Sequence, residues 1–183
     1  MNNSNLNTQR ATIRLAKMGM LVAISVVLLL IIHIPFPPAP FLEYDPADIP
    51  ILIGTFAFGP VAGIILVVVA SVIQGVTVSA ASGLYGIIMH IIATGVFVLV
   101  AGLIYRGNKS RKRAVLALVI GSLAMAAVMV PANLLITPYF MGAPRAAVVA
   151  LIPAIIGFNL MKAGINSAVT FLLYKRISKF LHK

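Results

Sequence analysis

A lysine in the middle of an oily stretch of chain needs a chemical explanation. Lys162 stands between Ile155 and Val169 with mostly apolar neighbours. At the centre of a membrane helix an ammonium costs about 2.5–3.5 kcal/mol on insertion scales, so it must face a cavity, a partner or a ligand. Asn159, Lys162 and Asn166 follow one another at i, i+3 and i+7, which puts all three on one helical face. Amides alone would fit ordinary interhelical hydrogen bonding, worth about 0.6–2 kcal/mol per contact. The cation among them predicts instead a binding site, with the ligand helping to satisfy the charge.

Four further polar residues interrupt apolar segments: Gln74, Tyr85, His90 and Asn133. All but His90 fall toward one end of their segments, which predicts a pocket open to one side, with apolar and aromatic walls and a few convergent donors and acceptors. A single His at membrane depth is expected to hydrogen-bond a neighbouring helix or a ligand rather than to cycle a proton. Glu43, Asp45 and Asp48 are the only acids, and all are assigned to the outer loop and mouth of the bundle. No carboxylate is therefore expected at membrane depth, which disfavours intramembrane hydrolysis, group transfer and a carboxylate proton relay. No metal site or cofactor is expected, and cysteine is absent.

The elements that must position these residues are membrane helices. Hydrophobic residues make up 61% of the 183 positions and charged residues 9%, with mean hydropathy +1.10. At roughly 20 residues per span this length makes about six. The spans are expected at Leu15–Ile34, Ala47–Phe58, Val61–Val76, Gly83–Tyr105, Ala114–Leu135 and Ala147–Tyr174. Pro35, Pro37, Pro38 and Pro40 stop the first; Gly59-Pro60 separates the second from the third. Pro138, Gly142 and Pro144 mark the turn before the last, and Pro153 is expected to bend it. The fold class is thus an all-α integral membrane protein, one six-helix domain over 1–183 preceded by a flexible polar segment, 1–12.

Charge placement orients it. Arg10, Arg14 and Lys17 precede span one; Arg106, Lys109, Arg111, Lys112 and Arg113 follow span four; Lys175, Arg176, Lys179 and Lys183 follow span six. With six spans all three clusters share one side, and the positive-inside rule makes it the cytoplasm, with both termini. The net charge of +11 therefore reads as a membrane-border pattern in the cell membrane and not as a nucleic-acid face. The loop Pro35–Pro46, carrying Phe36, Phe41 and Tyr44, is placed to close over the outer pocket as a lid. Ala16, Gly19 and Ala23 give the small-xxx-small spacing that lets another helix approach.

The stretch Phe41-Leu-Glu-Tyr-Asp-Pro-Ala-Asp-Ile-Pro-Ile-Leu-Ile-Gly-Thr-Phe-Ala-Phe-Gly-Pro-Val-Ala-Gly63 resembles the acidic-Pro-to-Gly-Pro signature of S components of energy-coupling factor (ECF) vitamin transporters, nearest the riboflavin-type branch. Phe158-Asn-Leu-Met-Lys-Ala-Gly164 through Leu172-Leu-Tyr-Lys-Arg176 is similar to that branch's last helix. The resemblance implies a six-helix subunit that captures a vitamin from outside and joins a membrane scaffold (T) subunit and two ATPase subunits. It puts ligand contacts at Asn133, Asn159 and Lys162 and the scaffold contact at Ala16, Gly19 and Ala23. Absence of a phosphate-binding Gly-rich loop agrees with ATP hydrolysis residing elsewhere.

Two positions depart from the branch. Gly83-Leu-Tyr-Gly-Ile-Ile-Met-His90 stands where a Gly-Glu-(x)2-Asn-like pattern is usual, and Ser71-Val-Ile-Gln74 where Lys-Asn is usual. Alongside riboflavin, the expected ligands therefore include a B6 vitamer, a hydroxymethylpyrimidine or pantothenate, with Lys162 pairing a carboxylate or phenolate. Two other classes stay open on the residues alone, a membrane enzyme acting on lipid or isoprenoid substrates and a small structural subunit.

Overall fold

Apolar residues in this chain point outward as often as inward. In the computed structural model, which describes residues 3–181 and their side chains except those at 3–6, 175 and 178–181, Met20, Leu30, Val61, Leu103 and Leu172 are all exposed. Buried positions are rich in small residues, among them Ala93, Ala101, Ala114 and Ala117. Close helix packing with an oily exterior is the pattern expected when lipid is the solvent.

Six helices run in sequence: α1 (Asn3–Ile31), α2 (Asp48–Phe58), α3 (Pro60–Val76), α4 (Gly83–Gly107), α5 (Arg111–Met141) and α6 (Arg145–Leu181). Consecutive pairs from α3 to α6 pack side by side, and α2 touches α1, α3, α4 and α6. Every residue from Asp48 to Ala57 is buried. Four helices, α1, α4, α5 and α6, are long and apolar enough to cross a membrane. At 11 residues α2 rises only about 16 Å, half the roughly 30 Å of hydrocarbon. Its burial on all sides explains how so short a helix is tolerated, because protein rather than lipid surrounds its ends.

Helix boundaries differ from the sequence expectation at the outer ends. Helix α1 begins at Asn3, within the polar segment 1–12; Met1 and Asn2 lie outside the described residues, as do His182 and Lys183, the last a member of the terminal basic cluster. Pro138, expected in a turn, sits inside α5, which ends only at Gly142 with φ +60° and its N–H bonded to Pro138 O. Pro153 likewise lies within a continuous α6. Membrane helices tolerate such prolines because neighbouring helices and side chains re-satisfy the freed backbone groups.

Three devices set α2 in place. Gly59, at φ +95°, turns the chain between α2 and α3 in a region that L side chains rarely adopt, and Pro60 opens α3 at a position where no N–H is needed. Arg14 donates to Phe58 O at 3.0 Å and covers the Phe58 ring, completing the C-terminal end of α2. Ser25 Oγ donates to Ala47 O at 2.9 Å, tying the other end to α1.

Below the centre of the bundle Phe56, Tyr105 and Tyr174 interlock, with ring centroids 4.3, 5.3 and 5.7 Å apart, and Tyr174 Oη donates to Phe56 O at 3.2 Å. Above it, the Pro-rich connection folds back as a two-residue antiparallel ladder, β1 (Ile34–Pro35) with β2 (Glu43–Tyr44), Ile34 opposite Tyr44. His33 Nε2 and Glu43 Oε2, 2.5 Å apart, close its open end. Phe36 packs at a tilt against Phe158 of α6, 5.4 Å between centroids, so the loop rests on the bundle.

Candidate functional site

Lys162 does not wait for a ligand. Its Nζ donates to Asp45 Oδ2 at 2.8 Å and lies 3.9 Å from Asp48 Oδ2, with all three side chains buried. This corrects two expectations at once. Asp48 is the first residue of α2 and wholly buried, so a carboxylate does stand inside the bundle, and the ammonium is neutralised by the chain itself. The reason is the shortness of α2, which carries its N-terminal acids down among the other helices.

Asp48 is fully coordinated. Its Oδ1 accepts from Thr94 Oγ1 at 2.9 Å and His90 Nε2 at 3.2 Å, and its Oδ2 accepts from Asn166 Nδ2 at 3.2 Å. Asp45 Oδ1 accepts the Ala47 N–H at 3.0 Å, which satisfies a backbone donor at the start of α2. Asn166 also donates to Asp45 O at 3.3 Å and accepts from Tyr44 Oη at 3.3 Å. Burial first, and then the neighbouring Asp45 carboxylate, push the Tyr44 phenol above its ordinary range, so it remains a donor. His90 Nδ1 lies 2.7 Å from Ser71 Oγ, whose hydroxyl also reaches Val67 O at 2.6 Å. The buried cluster thus joins β2 and the outer loop to α2, α3, α4 and α6.

Two adjoining hollows open beside it. The first, about 130 Å³, is lined by Gln74, His90, Asn159 and Lys162, with Glu43, Asp45, Met125 and Phe158. The second, about 90 Å³, is lined by Tyr85 and Asn133, with Ile136, Thr137 and Phe140. Phe41, Leu42, Ser82, Gly86, Met89 and Met129 border both, Phe41 and Leu42 being the contribution of the outer loop. Neither reaches the roughly 300 Å³ at which ordinary small-molecule pockets begin.

Six of the eight residues expected at the site therefore line one or other hollow: Gln74, His90, Asn159 and Lys162 the first, Tyr85 and Asn133 the second. Tyr44 and Asn166 line neither of these hollows: Tyr44 bonds Asn166, which in turn holds Asp48 Oδ2 and Asp45 O. Asn133 Nδ2 donates to Met129 O at 2.8 Å and its Oδ1 accepts from Thr137, while Asn159 Nδ2 donates to Ile155 O at 2.8 Å. Sequence reasoning missed Asp45, Asp48, Ser71 and Thr94 as site residues. The signal for the acids was present: one deeply placed cation in a chain with only three carboxylates has few counterions to choose from. On the far side of α1, Ala16, Gly19 and Ala23 are all exposed, and a side chain on Gly19 would meet no atom within 4 Å.

A family model for the substrate-specific component of ECF transporters matches residues 13–174. The chain belongs to this family. It is a transport component and a multi-pass protein of the cell membrane, not an enzyme. This S component is 34% identical over 178 residues to the riboflavin transporter RibU of Staphylococcus aureus (strain TCH60), covering 93% of each chain. It is 28% identical over 180 residues to the riboflavin transporter FmnP of Bacillus subtilis (strain 168), covering 93% of this chain and 94% of that one. Its fold matches a solved S component of a bacterial ECF transporter with a TM-score of 0.81 and 33% identity, over 93% of this chain and 98% of the other.

Proposed function

We propose that this S component captures riboflavin from outside the cell, in the paired hollows beneath the outer loop, and delivers it within an ECF complex of a scaffold T subunit and two ATPase subunits. The observation that carries the ligand is the near full-length similarity to two proteins named as riboflavin transporters. In this reading the chain is one domain over 1–183, its six helices all count as spans, and both termini face the cytoplasm, as the basic clusters favour.

Charge supports riboflavin over an anionic vitamin. Two buried carboxylates, Asp45 and Asp48, face one ammonium, Lys162, with Glu43 also bordering the first hollow. A ligand carboxylate such as that of pantothenate would enter beside this excess of negative charge and find the lysine already engaged. The neutral flavin ring suits the methionine and aromatic borders formed by Met89, Met129 and Phe41, and a polyol chain suits the donors and acceptors at Gln74, Asn159 and Lys162. A ligand of that size needs the two hollows joined and widened, and movement of Phe41 and Leu42, the loop residues that border both, makes the loop Pro35–Pro46 a lid. Ala16, Gly19 and Ala23 supply the scaffold contact.

Titrating the purified protein in detergent with riboflavin, followed by quenching of flavin fluorescence, is expected to give one site of nanomolar affinity and no ATPase activity. Absence of riboflavin binding with retention of a B6 vitamer, hydroxymethylpyrimidine or pantothenate would move the assignment to that ligand. Absence of binding by every vitamin tested sinks the reading.

A further inference from the structure

We propose that the groove between α5 and α6, on the face of α6 turned away from Lys162 and Asn166, is a binding site for one anionic phospholipid. An acyl chain would lie in the groove, with the phosphate held at its mouth by Arg111 and Lys112. The groove is open, about 410 Å³, and separate from the two hollows. From α5 it is lined by Val115, Leu118, Val119, Ser122 and Leu123, and from α6 by Leu160, Gly164, Ser167, Ala168 and Phe171.

Two features make its interior suited to hydrocarbon. The polar groups in its wall engage one another: Ser122 Oγ donates to Leu118 O at 2.7 Å and lies 3.3 Å from Ser167 Oγ. Gly164 opens the floor, since a Cβ there would meet no atom within 4 Å. The rim residues Val119, Leu123 and Leu160 are exposed.

The mouth supplies the charge complement that separates a phospholipid from any other apolar occupant. The α5 stripe repeats at i, i+3 and i+4, and continued one turn toward the N-terminus it lands on Arg111 and Lys112, both exposed. All three acids of the chain lie between positions 43 and 48, at the opposite end, so none competes for these cations. A guanidinium and an ammonium together at a membrane border recognise a phosphodiester bearing net negative charge over a zwitterionic one.

Native mass spectrometry tests this on the full chain, released from micelles containing equal amounts of phosphatidylglycerol and phosphatidylcholine with the same acyl chains. One retained lipid is expected, with phosphatidylglycerol preferred roughly tenfold. Arg111→Ala with Lys112→Ala should bring the two lipids to parity without removing the bound chain. Gly164→Phe, which fills the floor, should remove both lipids while leaving the melting temperature unchanged; Val119→Trp at the exposed rim tests the same point if that variant does not fold. Equal retention of the two lipids by the wild type, or the same lipid load on the wild type and the groove-filled variants, overturns the proposal. So does a dimer mass that the groove-filling substitution abolishes, which would make a second copy of the chain the occupant.

Discussion

Lys162 Nζ and Asp45 Oδ2 meet at 2.8 Å across 117 positions of sequence, so one buried ion pair joins the last helix to the outer loop. Removing one partner of such a pair strands the other's charge, a loss of about 3–5 kcal/mol, whereas removing both together is often close to neutral. Lys162→Met should therefore lower stability by about that much, and Lys162→Met with Asp45→Asn should recover most of it. Thermal melts of the wild type, each single variant and the double variant in one detergent measure this. A single Lys162→Met variant as stable as the wild type would show that the pair carries no weight.

The same bond predicts a kinetic effect at the lid. Asp45→Ala removes the ion pair between the loop and α6 and the acceptor of the Ala47 N–H. Riboflavin should dissociate at least about tenfold faster, corresponding to about 1.4 kcal/mol, with a smaller change in association. Stopped-flow flavin fluorescence resolves the two rates, and an unaltered dissociation rate argues that the loop does not gate the pocket.

Tyr44 should report on alkaline pH. Burial, then Asp45, raise its phenol's pKa in the folded protein, so its contribution is complete below the ordinary value near 10 and is lost as pH rises through the raised folded-state value. Stability measured from neutral to strongly alkaline pH should fall along a leg that Tyr44→Phe flattens. The substitution should itself cost about 0.5–1 kcal/mol at neutral pH for the long bond to Asn166. An identical alkaline profile in the variant would remove Tyr44 from this account.

At the proposed scaffold contact, binding and assembly should separate. Gly19 is exposed on α1 with open space around it, so Gly19→Leu should leave riboflavin affinity in detergent intact while blocking co-purification with the T subunit. A normal complex in the pull-down would place the scaffold elsewhere.

Much of this architecture is legible in the residues, for identifiable reasons. Long apolar runs announce α1, α4, α5 and α6, and Gly59-Pro60 divides α2 from α3 because the pair both bends the chain and opens a helix. The stripe of Asn159, Lys162 and Asn166 follows from helical period alone. What the sequence hides is depth. Asp48 reads as a residue at a loop's edge, and only the burial of α2 on every side carries it beside Lys162 and His90. Pro138 reads as a stop because proline ends helices in water, whereas here neighbouring helices support α5 through it. Asn166 looks like a ligand contact on the same stripe, yet its partners are Asp45, Asp48 and Tyr44, which no local pattern connects to it.

The interlocked rings of Phe56, Tyr105 and Tyr174 have a consequence for delivery. Tyr174 lies two turns of α6 beyond Asn166, about 12 Å further along the axis, so the rings stopper the bundle beneath the charged cluster. The molecule is a cup rather than a tube. If riboflavin enters beneath the outer loop as proposed, these rings stand across the way onward through the described helices, and release by the same mouth is the expected route.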